Sequence, residues 1–188
     1  MNSFGKAIDG DLPAHSIGWD EAFAWCEMLN LYPYYQDNPF TEYGYVFRLP
    51  KVNEWREACV QVAVPQGYRS ETPSSVFSLA PNELGFRGLF DNVSEWSIEA
   101  WSKQKVYWLP PQGFSSAKTS SEIKRAVTGG SWKQGQSSDV FAETAGSKTT
   151  RPVGGIEKGG TRTGFSKGTT SKYIGFRVVW GAKIRTIK

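Results

Sequence analysis

Four short motifs in fixed order constrain this chain more than anything else in it. They are Arg48-Leu49-Pro50 with Glu54-Trp55, then Asn92-Val93-Ser94-Glu95-Trp96, then Gly129-Gly130-Ser131-Trp132, and finally Ile174-Gly175-Phe176-Arg177-Val178-Val179. Each is short enough to arise by chance, and only their order and spacing make the set specific. Around them, apolar residues at helical spacing predict two helices. The first runs from about Trp19 to Asn30, with Trp19, Ala22, Phe23, Cys26 and Leu29 on one stripe. The second covers about Val52–Val62, with Trp55, Ala58, Cys59 and Val62 on its stripe. Lys51 stands at the entry of that second helix and offers no oxygen to the free N–H groups, a deficit of about 1 kcal/mol.

Between the motifs the chain is irregular. Tyr45–Leu49 is a short strand ended by Pro50, while Leu31–Tyr45 is rich in Pro, Asn and Tyr and is expected to be a loop packed by its own aromatics. Residues 63–128 are mostly loop, with strand-like pieces near Glu95–Trp101, Val106–Leu109 and Ala126–Thr128. Lys133–Lys172 is a Gly-, Ser-, Thr- and Lys-rich tract without helix or strand signal; a tract of that length in a compact domain is functional or disordered. Tyr173–Trp180 has the pattern of a buried strand, and Gly181–Lys188 is a basic tail. Eight Trp, eight Tyr and eleven Phe beside 20 Gly and 10 Pro suit a loop-rich α+β domain better than a helical bundle. With 188 residues, a single domain over 1–188 is expected.

No apolar run approaches the roughly 20 residues of a membrane span. The start, Met1-Asn2-Ser3-Phe4-Gly5-Lys6, lacks the apolar core of a signal peptide, so a cytoplasmic chain, or one in a particle assembled there, is expected. Cys26 and Cys59 fall on the two apolar stripes and are expected to be small buried hydrophobes. Charge is split. Residues 1–142 carry 12 basic and 16 acidic side chains, whereas 143–188 carry 10 basic side chains and only Glu143 and Glu157. Such asymmetry marks either a contact surface for something anionic or a solvated loop.

The motif set resembles the formylglycine-generating enzyme (sulfatase-modifying factor) family across roughly residues 12–180. The resemblance implies a variant of the C-type lectin fold, with helices on small irregular antiparallel sheets. Family members usually carry additional N-terminal strands before the first helix. Their absence here implies a trimmed fold or a neighbouring subunit that completes the strand pairing. The family's enzymes bind copper through two cysteine thiolates shortly after Gly-Gly-Ser, and Cu(I) demands such soft ligands. The matching positions here are Gln134 and Asp139. Related oxygenases hold iron with three histidines, and this chain has only His15. The resemblance therefore predicts the fold and argues against the family's reaction.

The family also places calcium near the Asn-Val-x-Glu-Trp turn, held by oxygen ligands. Glu95, Asp91 and the Val93 carbonyl would be the ligands here, although Gly88 replaces a usual Asp or Asn. The competing reading has Glu95 held by backbone amides or a basic side chain. Three weaker signals are discounted. Gly130 to Ser137 lacks the lysine of a phosphate loop. Asn92-Val93-Ser94 is a glycosylation sequon in a turn expected to be buried. With one histidine, no Ser-His-Asp triad is available.

One branch of the family consists of non-catalytic binding proteins, including hypervariable receptor-binding proteins of phages and bacteria. In them the segment between Gly-Gly-Ser-Trp and Gly-Phe-Arg faces the ligand. The resemblance thus implies a binding or display module whose contact surface includes Lys133, Gln134, Gln136, Asp139, Phe141 and Lys148. Further along it takes in Arg151, Lys158, Arg162, Phe165, Lys167 and Lys172. The tract has no Asn, against adenine-targeted diversification. Its partner would be a protein, a glycan or another polyanion. Few aromatics (Phe141, Phe165, Tyr173) are available to stack bases, which argues against sequence-specific nucleic-acid reading. The alternative function is a structural subunit of a virion or complex, with Lys183, Arg185 and Lys188 as its anchor.

Overall fold

The computed structural model describes residues 10–59, 71–89, 92–101, 106–107, 124–132 and 162–184. The predicted first helix, α1, spans Trp19–Asn30, and Glu21 accepts a hydrogen bond from the Gly18 N–H at 2.8 Å. The expected loop over Leu31–Tyr45 is corrected: it holds two one-turn helices, α2 (Pro33–Gln36) and α3 (Pro39–Glu42). Each opens on a proline, whose fixed φ and missing N–H suit the first helical position. Strand β1 (Tyr45–Arg48) and helix α4 (Val52–Ala58) follow, then a 3₁₀ turn at Val76–Ser78. Residues 60–62, the end of the predicted second helix, lie outside the described residues.

The remaining strands are β2 (Ser94–Trp101), β3 (Val106–Tyr107), β4 (Lys124–Thr128), β5 (Arg162–Ser166), β6 (Ile174–Phe176) and β7 (Val179–Ala182). Strand β5 overturns the expectation that 133–172 contains no strand. Its backbone pairs residue by residue with β4, from Lys124 opposite Ser166 to Thr128 opposite Arg162. A stretch reading Arg-Thr-Gly-Phe-Ser has too few apolar residues to announce itself. One small side chain is essential there, because a Cβ at Gly164 would fall 2.1 Å from the Trp101 ring.

Strand β2 organises the larger sheet, whose order is β3-β2-β4-β5 with β6 also on β2. Because β4 fills one edge of β2, the other partners share the opposite edge. Strand β6 runs parallel along Ser94–Trp96, β3 pairs with Ala100 and Trp101, and between them the Ile98 N–H donates to the Pro50 carbonyl at 3.0 Å. The parallel β2–β6 pair departs from the antiparallel sheets expected. Strands β1 and β7 form a separate antiparallel pair, Tyr45 opposite Ala182.

Helix α1 lies on this framework through a core of Trp19, Ala22, Cys26, Leu49, Trp96, Ile98, Val127 and Ile174, all buried. Burial of a Trp side chain removes about 150–250 Å² from water, worth roughly 4–6 kcal/mol at ~25 cal/mol/Å². The two core tryptophans also satisfy their ring N–H groups: Trp19 donates to the Ser97 carbonyl at 2.8 Å and Trp96 to the Ile17 carbonyl at 2.9 Å. A smaller cluster of Trp55, Cys59 and Leu89 lies beneath α4. Among the described residues no helix is long and apolar enough to cross a membrane.

The missing cap at Lys51 is made good from elsewhere. The Val52 N–H donates to Glu99 Oε2 at 2.7 Å, and the Lys51 N–H donates to Glu54 Oε2 at 2.8 Å. A carboxylate on β2 therefore caps a helix 47 residues away in sequence. Glu99→Ala should lower stability by about 1 kcal/mol in urea unfolding, the cost of a lost N-cap. A variant as stable as the parent would show that the contact carries no stability.

Candidate binding face at the base of the 133–172 tract

The motif side chains converge on one another. Arg48, from the first motif, forms a two-pronged pair with Glu54, Nη2 to Oε1 at 2.6 Å and Nη1 to Oε2 at 2.7 Å. Its Nε donates to the Ala182 carbonyl at 3.0 Å, so this one side chain ties together β1, α4 and β7. Burial works against the Glu54 charge, but hydrogen bonds from Arg48 and the Lys51 N–H outweigh it and hold the carboxyl below its usual range.

The second and fourth motifs meet at Glu95 and Arg177. Arg177 Nη2 lies 2.8 Å from Glu95 Oε1, and its Nε lies 3.1 Å from both carboxylate oxygens. Trp55 donates its ring N–H to Glu95 Oε2 at 3.1 Å, and Arg177 Nη2 also donates to the Arg87 carbonyl at 2.9 Å. The nearby Glu95 charge raises the Arg177 pKa further, against the opposing effect of burial. Glu95 is thus held by a basic side chain, one of the two arrangements the sequence allowed. A calcium ion would need the oxygens that Arg177 and Trp55 already use. Val93 is buried beside them, and Asp91 lies outside the described residues. Among the described residues no group of three His, Cys, Asp or Glu is placed to hold a metal ion.

Asn92 turns its amide to residue 74, accepting from the Ser74 N–H at 3.1 Å and donating to the Ser74 carbonyl at 2.9 Å. Burial together with that pairing leaves the sequon asparagine closed to a glycan. The third motif ends the same way. The Trp132 N–H donates to the Asn92 carbonyl at 2.8 Å, and its ring N–H donates to the Lys172 carbonyl at 3.3 Å. The Trp132 and Tyr173 rings lie 4.9 Å apart, with the Lys172 ammonium 5.4 Å from each. Residues 172 and 173 therefore pack beside Trp132, while the chain is already back in the sheet at Arg162, opposite Thr128. Gly129 allows the exit: its φ is +80°, and a Cβ there would stand 2.7 Å from the Leu89 carbonyl oxygen.

The candidate contact residues divide. Lys172 is exposed at the base of the tract. Phe165 is corrected from surface to scaffold, since it packs on the main core and meets Trp96 edge-on at 6.4 Å. Lys167 is likewise engaged, its ammonium 3.1 Å from Asp20 Oδ2 and its carbonyl accepting the Trp19 N–H at 2.8 Å. Arg162 is the first residue of β5, opposite Thr128. Lys133, Gln134, Gln136, Asp139, Phe141, Lys148, Arg151 and Lys158 lie outside the described residues, as do Arg185 and Lys188 of the tail. His15 makes an isolated bridge to Gly175, and its Nδ1 lies 3.0 Å from Ser16 Oγ.

Three contributions escaped sequence reasoning. Glu99 caps α4. Arg125, fully buried on β4, places its guanidinium 3.9 Å from the centre of the Trp19 ring and donates to the Ile98 carbonyl at 3.0 Å. Arg177 was legible only as a motif letter, with no sign that Glu95 was its partner. The cysteines are free and buried as expected, in two different clusters. Burial pushes the Cys26 thiol up to about 12 and raises the Cys59 thiol as well.

This architecture is an α+β scaffold of the C-type-lectin-like class, built in the manner of formylglycine-generating enzymes. The family model for the sulfatase-modifying factor enzyme 1-like domain matches residues 63–182, more than half of the chain, and the chain belongs to that family. Similar solved structures include CarF, 16% identical with a TM-score of 0.54 over 95% of this chain and 70% of that one. PvdO from Pseudomonas aeruginosa is 16% identical with a TM-score of 0.56, over 91% of this chain and 62% of its own. Treponema denticola variable protein 1 is 17% identical with a TM-score of 0.54, over 94% and 75%. At these identities the likeness is one of fold. No curated protein matches the chain in sequence.

Two outcomes follow from this geometry. Arg177→Gln leaves the Glu95 charge buried without its counter-ion and should cost about 3–5 kcal/mol in chemical unfolding. A loss under 1 kcal/mol would mean that water or another cation replaces the guanidinium. Native protein at pH 8 should react with a thiol reagent only at the rate of global unfolding, because the thiolate is the reactive form and both thiols are buried. Rapid labelling of either cysteine would contradict that burial.

Proposed function

We propose that this chain is a non-catalytic binding module that presents its 133–161 tract, with Lys172 at the base, to an anionic partner. The observation that carries the reading is that both flanks of the tract are set in the scaffold, Trp132 against Asn92 and Tyr173, and Arg162 opposite Thr128 in the sheet, while the scaffold's conspicuous polar side chains are already paired with each other. A loop with anchored ends on a rigid frame is a common way to build a recognition surface. The donor chemistry supports the same reading. Copper in this family needs a thiolate pair, whereas the two thiols here sit in separate clusters and the positions after Gly-Gly-Ser hold Gln134 and Asp139.

With residues 162–166 engaged in strand β5 and Lys167 paired with Asp20, the contact surface we propose rests on the basic residues Lys148, Arg151, Lys158 and Lys172. A second reading, a subunit of a larger assembly, is favoured by a separate observation: the exposed aromatic residues around α2 and α3.

Heparin, as a polyanion probe, tests the first reading. The parent chain should be retained on immobilised heparin and should elute at lower salt once Lys148, Arg151 and Lys158 are all replaced by Gln. Its binding should also fall steeply with salt, as expected where cations displace counter-ions. Equal elution of parent and triple variant would overturn the assignment of the tract as an anion-binding surface.

A further inference from the structure

The segment from residue 7 to residue 47 contains seven acidic residues and no Lys or Arg. It forms α1, α2, α3 and most of β1, and among the described residues it carries the largest group of exposed apolar side chains. Leu31 is 72% exposed, Tyr34 79% and Tyr43 76%, with Met28, Tyr32 and Phe40 also open to solvent. Single exposed apolar residues need no explanation, whereas a contiguous group does.

The rings are continuous. Tyr34 meets Tyr35 edge-on at 5.2 Å, Tyr32 lies 6.3 Å from Tyr35, Tyr35 meets Phe47 at 4.6 Å, and Phe47 meets Trp180 at 4.6 Å. Phe40 and Tyr45 extend the surface at 5.8 Å. Helices α2 and α3 each contribute a single turn and are joined where the Thr41 hydroxyl donates to the Tyr35 carbonyl at 3.1 Å, while the Asn30 side chain pins the end of α1 to β1 by bonding both the N–H and the carbonyl of Phe47, at 2.7 and 2.9 Å. The surface is thus held in place without being covered by any described element. Glu27, Asp37 and Glu42 stand exposed around it. Lys183 borders it, its N–H donating to the Gly44 carbonyl at 2.8 Å, and Arg48 behind it is committed to Glu54.

Aromatic faces rimmed mainly by carboxylates favour Arg and Lys side chains, through cation–π contact and charge complementarity. The same chain supplies them: residues 143–188 hold 10 basic side chains against two acidic ones. We propose that the α1–α3 aromatic face docks the basic 148–172 region of a second copy of this chain, giving a head-to-tail assembly. The two surfaces differ, so the contact is heterologous and propagates unless it closes into a ring. The inference rests on the reading of the tract as a contact surface and adds its occupant.

Light scattering on two variants and their mixture tests it. Tyr34→Ser with Tyr43→Ser removes the face, and Lys148→Glu with Arg151→Glu and Lys158→Glu removes the counter-surface. The parent should associate as concentration rises and dissociate in high salt. Each variant alone should remain monomeric, and their equimolar mixture should form a dimer that grows no further, since each copy keeps one working surface. A parent that stays monomeric at all concentrations, or a mixture that stays monomeric, overturns the proposal. So does a tyrosine variant that still associates. Circular dichroism of each variant establishes that it is folded, and Glu42→Lys with Glu27→Lys replaces the tyrosine pair if that pair unfolds. Heparin retention of the parent reports on the tract alone, so its loss would fault the binding reading, whereas a parent that is retained on heparin but never associates would fault only this one.

Discussion

The buried pair of Glu95 and Arg177 is the constraint on which the rest depends. It joins the start of β2 to the residue that follows β6, and through the Trp55 ring N–H and the Arg87 carbonyl it reaches α4 and the loop before β2. Removing two charges from water is costly, and a buried pair repays that cost only with good geometry and full hydrogen bonding. Here the guanidinium and carboxylate meet in a forked contact, and Trp55 supplies the remaining donor. The arrangement is specific because misplacing any of the segments strands a charge. The pair also fixes the parallel β2–β6 register, Glu95 opposite Gly175, which leaves Arg177 two residues on from that crossing. Gly175 must be glycine for this, because a Cβ there would fall 2.1 Å from the Ala14 carbonyl oxygen.

Legibility in the sequence followed the range of the interaction. Helix α1 was readable from end to end because twelve residues give three turns of apolar repetition. Strand β1 was readable because Val46 and Phe47 are followed by a proline that stops it. Helices α2 and α3 were not, since four residues define no period and their prolines signal a turn as readily as a helix start. Strand β5 was invisible for the opposite reason: its own residues carry little preference, and β4 imposes the extended conformation by backbone pairing. The Glu99 cap and the Arg125–Trp19 stack were equally hidden, because each joins residues that only the fold brings together.

The candidate site shows the same division. Its start was written in a motif, which the structure sets at Trp132 against Tyr173, whereas its far end, the return at Arg162 opposite Thr128, was marked by none. Which residues inside the tract are available for contact was not legible, since lysines and aromatics look alike in sequence whether they serve the scaffold or the surface. Lys167 and Phe165 went to the scaffold through Asp20 and Trp96. Anchoring both ends changes the energetics of recognition as well. Closure entropy grows only as about 3/2 RT ln n, so a longer tract on a fixed base adds contact surface at little extra cost. That scaling lets one frame carry tracts of different length and composition while its paired charges stay unchanged.

The two proposed roles of the basic region also bear on each other. If residues 148–158 engage a second copy, the same cations are unavailable to an external polyanion, and binding of one partner weakens the other by the same free energy. Assembly and ligand binding are then alternatives set by concentration and salt, rather than independent properties. The aromatic face breaks the symmetry between them. A polyanion has no use for rings bordered by Glu27, Asp37 and Glu42, whereas a cationic segment uses both the rings and the carboxylates. Salt therefore weakens the two contacts unequally: the polyanion contact rests on charge alone, while burial of Tyr34, Tyr43 and Leu31 supplies a component that screening does not reach.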